Sequence, residues 1–400
     1  MLAPNSEAEL ALVIGEAHAA AEPVWVCGQG SKAQMMRPVQ AARSISTRNL
    51  SGIELYSPNE LIFSAKSGTP VAEIEAALAV NAQHMIAETP DFSALLGSTT
   101  PQTIGGVVAA GLSGPRRIAW GATRDHVMGV RAVNGQGETI RSGGRVLKNV
   151  TGLDICKLLT GSHGTLAVMT EITMKVLPAP ERRATLAIAG LDPVRAVAAL
   201  AAALGSPYAV SGAAYLPAQA AARVPALAWL HSSVTLARIE DFTPSVAYRA
   251  DRLRSELAAF GAAEILDDGA SRSLWASVRD AKPLAAAAED AVWRVSVRPS
   301  AGPRVVAALE AAFGAASFMD WGGGLVWIAG PATDAAHAAV VATALREGGT
   351  WQLFRAPEAL RSASAVIPPE PGAMARISAR VKQAFDPKSI LNPGRMRAGL

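Results

Sequence analysis

The chain has little of what marks several common protein classes. It contains two cysteines, Cys27 and Cys156, too few for a self-contained four-cysteine zinc or iron–sulfur site or for a disulfide framework. It has no uninterrupted apolar run of roughly 18 residues, the length that a membrane span requires. The N-terminus lacks the basic and apolar regions of a signal peptide. Lysine and arginine form no runs, so nucleic-acid binding is not expected.

Length and composition favour a globular protein with more than one folding unit. The chain has 400 residues, of which 50% are hydrophobic and 18% are charged, enough to bury a core. This length exceeds the usual size of a single core, so two units with a cleft between them are expected. Proline and charge concentrate in Pro178–Arg183, which indicates a linker at that point.

A glycine loop near the N-terminus is the first candidate site. Ser6 and Glu9 form a capping-box pattern before a predicted amphipathic helix. The apolar run Val24–Cys27 predicts a buried strand that ends at Gly28-Gln29-Gly30-Ser31-Lys32. Successive N–H groups in such a loop can form a nest for phosphate oxygens, to which Ser31 and Lys32 add a hydroxyl and a positive charge. The spacing fits neither a Rossmann fingerprint nor a P-loop, and an ordinary glycine turn remains the alternative.

The remaining patterns predict an α+β protein. Leu61–Ala65 reads as a strand and is followed by a helix from Val71, and glycine is dense from Gly97 to Gly144. Helical and strand-like segments alternate beyond residue 183, which indicates an α+β cap. The predicted segments are the helices Pro193–Leu204, Val246–Phe260 and Pro303–Phe313 and the strands Trp293–Val297 and Leu325–Ile328.

Three further motifs make a family resemblance specific. They are Gly97–Gly114, with Pro101-Gln102-Thr103-Ile104-Gly105-Gly106 at its centre, Val146–Glu171, with Gly161-Ser162-His163-Gly164-Thr165, and the C-terminal Phe385–Arg395. Together with the glycine loop, they resemble the FAD-binding domain shared by vanillyl-alcohol oxidase, D-lactate dehydrogenases and the glycolate oxidase flavin subunits. The resemblance implies an α+β fold with a two-part FAD-binding domain of the p-cresol methylhydroxylase type, followed by an α+β cap.

The resemblance also implies domain bounds and cofactor contacts. The FAD-binding domain would span residues 1–180, the cap for substrate or partner 181–375, and a segment returning to the FAD domain 376–400. The implied FAD-binding residues are Gly28, Gln29, Gly30, Ser31, Lys32, Pro101, Gln102, Thr103, Gly105, Gly106, Gly111, Ser113, Gly114, Asp125, Gly161, Ser162, Gly164, Thr165, Ile172 and Asn392. For Asp125 an ordinary turn role is the alternative, and for residues 161–165 a helix C-terminal turn.

Non-covalent FAD is expected, since relatives that attach FAD covalently use His or Cys at particular loop positions. Neither Gly28–Lys32 nor Gln102–Gly106 contains one. Cys27 precedes the loop on the predicted strand, where a buried thiol is the more common role.

Within this family, the chain resembles the short FAD-binding subunit of glycolate oxidase. The segments Trp293–Pro299 and Asp320–Trp327 carry this resemblance. It implies a complex with a longer catalytic flavoprotein and an iron–sulfur subunit, oxidation of a small 2-hydroxy acid, and a cytoplasmic protein without an integral membrane segment. Peripheral association with the inner face of the membrane through partners is left open.

Independent catalysis is not indicated by the histidines. The His-x-Gly-Asp-Gly-Asn-x-His motif of catalytic relatives is absent, and the six histidines show no paired ligand spacing, so neither a metal site nor a catalytic base is assigned. Arg294 and Arg298 are hypothetical clamps for a substrate carboxylate, with surface arginines as the alternative. A free-standing flavin oxidoreductase of another hydroxy acid, alcohol or sugar, and a non-catalytic scaffold, remain alternative functions.

Overall fold

The computed structural model describes residues 1–144 and 153–399. The first part of the motif that begins at Val146, residues 146–152, lies outside the described residues. The chain folds into two compact units. The first comprises Met1–Ser113, Gly121–Ala179 and Ala365–Leu400, and the second Gly114–Trp120 and Pro180–Ser364.

The helices and strands are numbered here in chain order. The strands are β1 Val24–Cys27, β2 Arg43–Ser46, β3 Ile53–Ser57, β4 Ile62–Lys66, β5 Gln83–Met85, β6 Val127–Asn134, β7 Thr139–Gly143, β8 Ala167–Pro178, β9 Arg182–Ala189, β10 Gly212–Leu216, β11 Val234–Asp241, β12 Ala263–Leu266, β13 Ala291–Ser296, β14 Ala316–Asp320, β15 Leu325–Gly330 and β16 Thr350–Arg355. The helices are α1 Glu7–Ala20, α2 Val71–Ala79, α3 Ser93–Leu96, α4 Ile104–Ala110, α5 Arg117–Trp120, α6 Thr123–His126, α7 Ile155–Leu159, α8 Pro193–Gly205, α9 Ala218–Ala221, α10 Thr243–Glu256, α11 Asp268–Arg279, α12 Gly302–Phe313, α13 Asp334–Arg346, α14 Glu358–Ala363 and α15 Gly372–Phe385.

The first unit contains two sheets. In the larger, the strand order is β3-β4-β8-β6-β7, with β5 also paired to β8, and all of these pairs are antiparallel. In the smaller, β1 and β2 are parallel. The helix predicted at the N-terminus is confirmed: Ser6 Oγ accepts from Glu9 N at 3.1 Å and begins α1. The strand β1 spans the predicted residues, but only Val24 is buried, because the next three residues line a cavity.

The C-terminal segment packs into the core of the first unit. Ile390 and Leu391 are fully buried with α1 and with β1 residue Val24. Val24 N donates to Ile390 O at 2.7 Å, and Asn392 N donates to Val24 O at 2.9 Å. These bonds extend the pairing of β1, so the end of the chain lies beside the strand that leads into the glycine loop.

The second unit is built on one eight-stranded antiparallel sheet. Its strand order is β12-β9-β11-β10-β14-β15-β13-β16. Seven of the eight residues of β11 are buried, as expected for a strand covered on both faces. The predicted helices and strands of this region are confirmed with shifted ends. Helix α10 begins earlier than predicted because Pro244 is accommodated in its first turn.

Candidate functional site

The first unit contains a cavity that is open to solvent on one side. The walls come from the end of β1 and the glycine loop, from the first turns of α4, from the start of β8 and from the C-terminal segment. The lining residues are Trp25, Val26, Cys27, Gly28, Gln29, Gly30, Ser31, Lys32, Ala33, Thr47, Ser67, Thr103, Gly105, Gly106, Ala109, Ala110, His163, Gly164, Ala167, Val168, Met169, Asn392 and Arg395.

The glycine loop requires glycine at two positions. Gly30 has φ +79°, a left-handed conformation that favours glycine. A Cβ at Gly28 would lie 2.4 Å from Thr103 Oγ1, too close for any larger residue. Thr103 in turn caps α4, since its Oγ1 accepts from Gly106 N at 3.2 Å. The two motifs that are far apart in the sequence therefore pack directly against each other.

The backbone of Gly105 packs closely against Ser67, whose hydroxyl group faces the cavity. Gly105 N donates to Ser67 O at 2.8 Å, and a Cβ at Gly105 would lie 2.7 Å from the side chain of Ser67. Ser67 is buried and lines the cavity, and its Oγ has no hydrogen-bond partner in the described part of the chain. A buried hydroxyl without a partner is unfavourable, so a ligand oxygen in the cavity would satisfy it.

Lys32 brings a positive charge to the same cavity. Its Nζ donates to Gln102 Oε1 at 3.2 Å and lies 3.5 Å from Ser31 Oγ. Burial lowers the pKa of Lys32 to about 8, against the opposing effect of Asp91. Because this pKa lies above 7, the ammonium group is charged at pH 7. Both of its hydrogen-bond partners are neutral, and it forms no carboxylate ion pair among the described residues. A phosphate group would supply the missing negative charge.

These observations test whether FAD fits the cavity, and the residues do fit. A pyrophosphate needs hydrogen-bond donors and positive charge together with space for close backbone approach. The glycine loop provides the space, Ser67 and Ser31 provide hydroxyl donors, and Lys32 provides the charge. Residues 109–110 and 167–169 add an apolar wall suited to rings.

The side chain of Asn392 holds the strand that leads into the glycine loop. Its Oδ1 accepts from Val26 N at 2.7 Å, and its Nδ2 donates to Val26 O at 3.2 Å and to His163 O at 2.8 Å. One amide thus joins β1 to the loop after α7. Asn392 also lines the cavity, where the sequence motif predicted it.

Arg395 holds the other side of the loop through the backbone. Its guanidinium donates to Lys32 O at 2.9 Å and to Arg37 O at 2.9 Å. The segment that carries it is anchored by Asp386, which accepts from Lys382 Nζ at 2.7 Å and from Leu391 N at 2.8 Å. The C-terminal segment therefore shapes the cavity as well as the core.

Two titratable side chains in the cavity are uncharged at neutral pH. Burial and the positive charge of Arg395 lower the pKa of His163 to about 3. Burial raises the pKa of Cys27 to about 11, although Arg395 and Arg48 oppose this shift. A protonated thiol is a poor nucleophile, so Cys27 acts here as a small apolar residue of the wall.

The cavity brings together part of the predicted cofactor residues. Those that line it are Gly28, Gln29, Gly30, Ser31, Lys32, Thr103, Gly105, Gly106, Gly164 and Asn392. Gln102 lies behind them and contacts Lys32. Pro101 is exposed on the surface before α4.

The other predicted residues have structural roles outside the cavity lining. Gly111 ends α4 with φ +62° and packs on Gly161, whose Cα would lie 3.3 Å from a Cβ at Gly111. Asp125 accepts from Ala122 N at 2.8 Å, which is the turn role that the sequence left open. Ile172 is fully buried between β4 and β6.

The remaining residues form local hydrogen bonds. Ser113 Oγ lies 3.1 Å from Thr123 Oγ1. Ser162 Oγ donates to Leu159 O at 2.8 Å and Thr165 Oγ1 to Ser162 O at 2.7 Å, which builds the turn after α7. Gly114 belongs to the second unit, where its carbonyl accepts from Trp321.

The two arginines proposed as a clamp are in different surroundings. Arg298 is exposed, and its charge helps to keep the pKa of Glu347 low, after the larger effect of the Arg304 hydrogen bond. Arg294, on β13, is half-buried among aromatic rings near Arg117. The structure therefore places Arg294 with Arg117 instead of with Arg298.

Sequence reasoning missed several residues of the cavity. Ser67 follows strand β4 in Lys66-Ser67-Gly68-Thr69-Pro70, the same strand-and-glycine pattern that identified residues 28–32. His163 and Arg395 stand inside motifs that were recognised, but nothing in one sequence shows that they face the ligand space. Thr47 had no sequence signal.

The described residues lack two further features. No helix among them is both long and apolar enough to cross a membrane. They contain no group of three or more His, Cys, Asp or Glu side chains that could hold a metal ion.

Comparison with known proteins identifies the fold and the family. The family described as FAD binding domain matches residues 1–143. Two solved flavoenzymes share the fold, which confirms the α+β prediction: p-cresol methylhydroxylase (TM-score 0.72, 12% identity, covering 99% of this chain and 88% of that one) and 4-ethylphenol oxidase from Gulosibacter chungangensis (TM-score 0.70, 14% identity, covering 99% and 89%). The glycolate oxidase subunit GlcE of Escherichia coli (strain K12) is 32% identical over 379 residues, which cover 94% of this chain and 93% of the relative. The chain therefore belongs to the family of the glycolate oxidase subunit GlcE, and its N-terminal region is an FAD-binding domain.

Proposed function

We propose that this chain is the FAD-binding subunit of a glycolate oxidase and takes part in the oxidation of glycolate to glyoxylate. The cavity with the glycine loop, Lys32 and Ser67 is the observation that carries the proposal. The similarity to a glycolate oxidase subunit over nearly the whole of both chains supports the choice of reaction. The chain acts as an FAD-dependent oxidoreductase of CH–OH groups within a complex.

The residues of the cavity hold the cofactor by defined chemistry. When bound, FAD would accept the hydride that leaves the α-carbon of the hydroxy acid. Lys32 would neutralise the pyrophosphate, while Ser31, Ser67 and the N–H groups of the glycine loop would donate hydrogen bonds to it. Asn392 and Arg395 keep the loop in the conformation in which those donors converge.

FAD is bound non-covalently in this proposal. Cys27 and His163 are the Cys and His side chains of the cavity lining. The protonated thiol of Cys27 does not attack a carbon of the flavin readily, because the thiolate is the nucleophile. Acid precipitation of the purified protein tests the point: the flavin should remain in the supernatant, and yellow colour in the pellet would contradict it.

The complex follows from the family. A longer catalytic flavoprotein and an iron–sulfur subunit are the partners, and electrons pass through the flavin to a partner or another acceptor. We place the complex in the cytoplasm, with any contact to the membrane made through partners. Residues 181–375, most of which belong to the second unit, provide the surface for substrate or partner.

An absorption spectrum of the purified chain, followed by anaerobic addition of glycolate and then of D-lactate, tests this function. Flavin bands should be present, and glycolate should bleach them when the partner subunits are added. Bleaching by glycolate without partners would show a complete active site in this chain. Bleaching by D-lactate alone would favour a free-standing oxidoreductase of another hydroxy acid, and a chain that binds no flavin would contradict the proposal.

A further inference from the structure

A cluster of aromatic rings around Arg294 is not used by the FAD cavity. Arg294 lies on β13, with its Cζ 5.7 Å from the ring centre of Trp321, 5.1 Å from that of Trp327 and 5.8 Å from that of Phe354. Cation–π contacts of this kind stabilise a guanidinium group, but aromatic rings accept no strong hydrogen bonds. All of these residues belong to the second unit.

The guanidinium of Arg294 has no hydrogen-bond or ion-pair partner in the described part of the chain. Its Nε is buried and unsatisfied, whereas the side chain as a whole keeps partial exposure. Burial, followed by the charge of Arg117, lowers the pKa of Arg294 to about 10 against the opposing effect of Asp320. A buried N–H group is normally hydrogen-bonded, so the unsatisfied Nε of Arg294 points to a hydrogen-bond partner that comes from outside the chain.

A neighbouring segment is held in place beside Arg294. Within Gly114–Trp120, Arg116 forms a bidentate ion pair with the buried Glu240, at 2.8 Å and 2.7 Å. The next residue, Arg117, lies with its Cζ 4.7 Å from the ring centre of Trp321. The Arg116 ion pair thus fixes the position from which Arg117 adds a second positive charge.

Trp321 is the wall that the two arginines share. It has φ +53°, an unfavourable conformation for a bulky residue, and two glycines with positive φ follow it. Its N donates to Asp320 Oδ1 at 2.7 Å and its Nε1 donates to Gly114 O at 3.2 Å. Backbone strain that is held by specific hydrogen bonds is typical of binding sites.

We infer that Arg294, supported by Arg117 and walled by Trp321, Trp327 and Phe354, forms a carboxylate-binding site in the second unit. Two arginines and one aspartate, Asp320, leave one net positive charge, which matches a small monocarboxylate. The planar guanidinium can donate two parallel hydrogen bonds to a carboxylate while its face stacks on a ring. The choice of a 2-hydroxy acid such as glycolate as the occupant rests on the proposed function, whereas the carboxylate site does not.

The test is calorimetric titration of the full-length protein with glycolate, acetate, inorganic phosphate and ethylene glycol. Glycolate and acetate should bind, and neutral ethylene glycol should not. Arg294→Gln should weaken glycolate binding at least tenfold, which corresponds to about 1.4 kcal/mol. Arg294→Lys keeps the charge but loses the planar group that donates two parallel hydrogen bonds, so it should retain only part of the wild-type affinity. Arg346→Gln removes an arginine whose side chain is 61% exposed and is the matched control that should leave affinity unchanged.

Thermal unfolding separates a binding role from a structural one. If Arg294 is kept for a ligand, Arg294→Met should leave the Tm of the unliganded protein unchanged or raise it, because it removes an unpaired buried charge. Glycolate should raise the Tm of the wild-type protein and not that of the variant. A lower Tm in Arg294→Met with glycolate affinity unchanged would overturn the inference.

Two further outcomes distinguish this site from the proposed function. Binding of acetate without binding of glycolate would support the carboxylate site and contradict the 2-hydroxy acid as its occupant. Binding of phosphate with no carboxylate binding would overturn the site, while the flavin spectrum would still decide the proposed function separately.

Discussion

The arginines around Glu240 differ from the half-buried Arg294 in having a carboxylate within ion-pair distance. Glu240 is fully buried and accepts two hydrogen bonds from Arg116, with Arg183 at 3.4 Å and Arg238 at 3.3 Å. Arg294 has aromatic neighbours and no ion-pair partner in the described residues. Burial alone would raise the pKa of Glu240, but the arginines hold it well below its usual range.

The difference separates a structural charge from a charge that is kept for a ligand. Lys32 in the first unit resembles Arg294 in kind, because its hydrogen-bond partners are neutral and burial lowers its pKa. Removal of one member of a neutralised group leaves uncompensated charge, whereas removal of an unpaired charge relieves the folded state. The two kinds of site should therefore respond in opposite ways to substitution.

The largest expected effect is at Glu240. Glu240→Gln should lower the free energy of unfolding by about 3–5 kcal/mol, because it leaves the buried Arg116 and Arg238 without their carboxylate. Urea unfolding measures it. Asp251→Asn, which removes the partner of an exposed Arg254, is the control and should cost less than about 1 kcal/mol. Equal losses of unfolding free energy in the two variants would show that Glu240 stabilises the fold no more than an exposed carboxylate does.

The same carboxylate predicts how stability depends on pH. Its pKa is lower in the folded protein than its ordinary value of 4.5, so its contribution is present above that value and is lost as pH falls toward the folded-state pKa. Wild-type protein should therefore lose stability below about pH 4.5, and Glu240→Gln should lose less over that interval. Identical pH profiles of the two proteins would show that Glu240 does not titrate as described.

Substitution of Lys32 should affect binding and leave folding intact. Lys32→Met should weaken FAD binding by about 10- to 100-fold at pH 7, since a charge-assisted hydrogen bond is lost. The free energy of unfolding of the flavin-free protein should be unchanged or higher. Fluorescence titration with FAD and urea unfolding measure the two effects. A loss of stability without a loss of FAD affinity would show that Lys32, like Glu240, has a structural role.

A smaller effect concerns the pH dependence of FAD binding. The pKa of Lys32 is about 8 in the free cavity, and the phosphates of FAD should raise it, so binding takes up a proton near pH 8. The affinity should be constant below about pH 8 and fall up to about tenfold per pH unit above it. Lys32→Met should show no such fall; the same fall in that variant would assign it to another group.

The pH dependence of stability should also show the effect of His163. Its pKa is lowered to about 3, below the ordinary value of 6.5, so the unfolded chain binds a proton that the folded chain rejects between these values. Stability should fall by up to about 1.4 kcal/mol per pH unit below 6.5. His163→Asn, which suits the left-handed φ of +52°, should reduce that slope. An unchanged slope would contradict a neutral His163.

The sequence predicts those parts of the site that are built from backbone. The strand Val24–Cys27 and its glycine loop have a pattern of their own, because tight turns and close backbone approach require glycine. Gly105 and Gly106 are recognisable for the same reason. Gly111 and Gly161 share this signal although they pack against each other outside the cavity lining.

Side-chain contributions could not be predicted in the same way. Ser67 and Arg395 reach the cavity through sheet pairing and through the docking of the C-terminal segment, and these long-range contacts leave no local pattern. The grouping of Gly114–Trp120 with the second unit depends on the ion pair between Arg116 and Glu240, which are 124 residues apart. Arg117 could therefore not be placed beside Arg294 from the sequence.

The most direct test of the account is a titration of the purified, flavin-free protein with FAD at pH 7, wild type beside Lys32→Met. The account predicts that the wild-type chain binds FAD reversibly and that the variant, equally stable, binds it at least tenfold more weakly. Failure of the wild-type chain to bind FAD, or equal affinity in the two proteins, would contradict it.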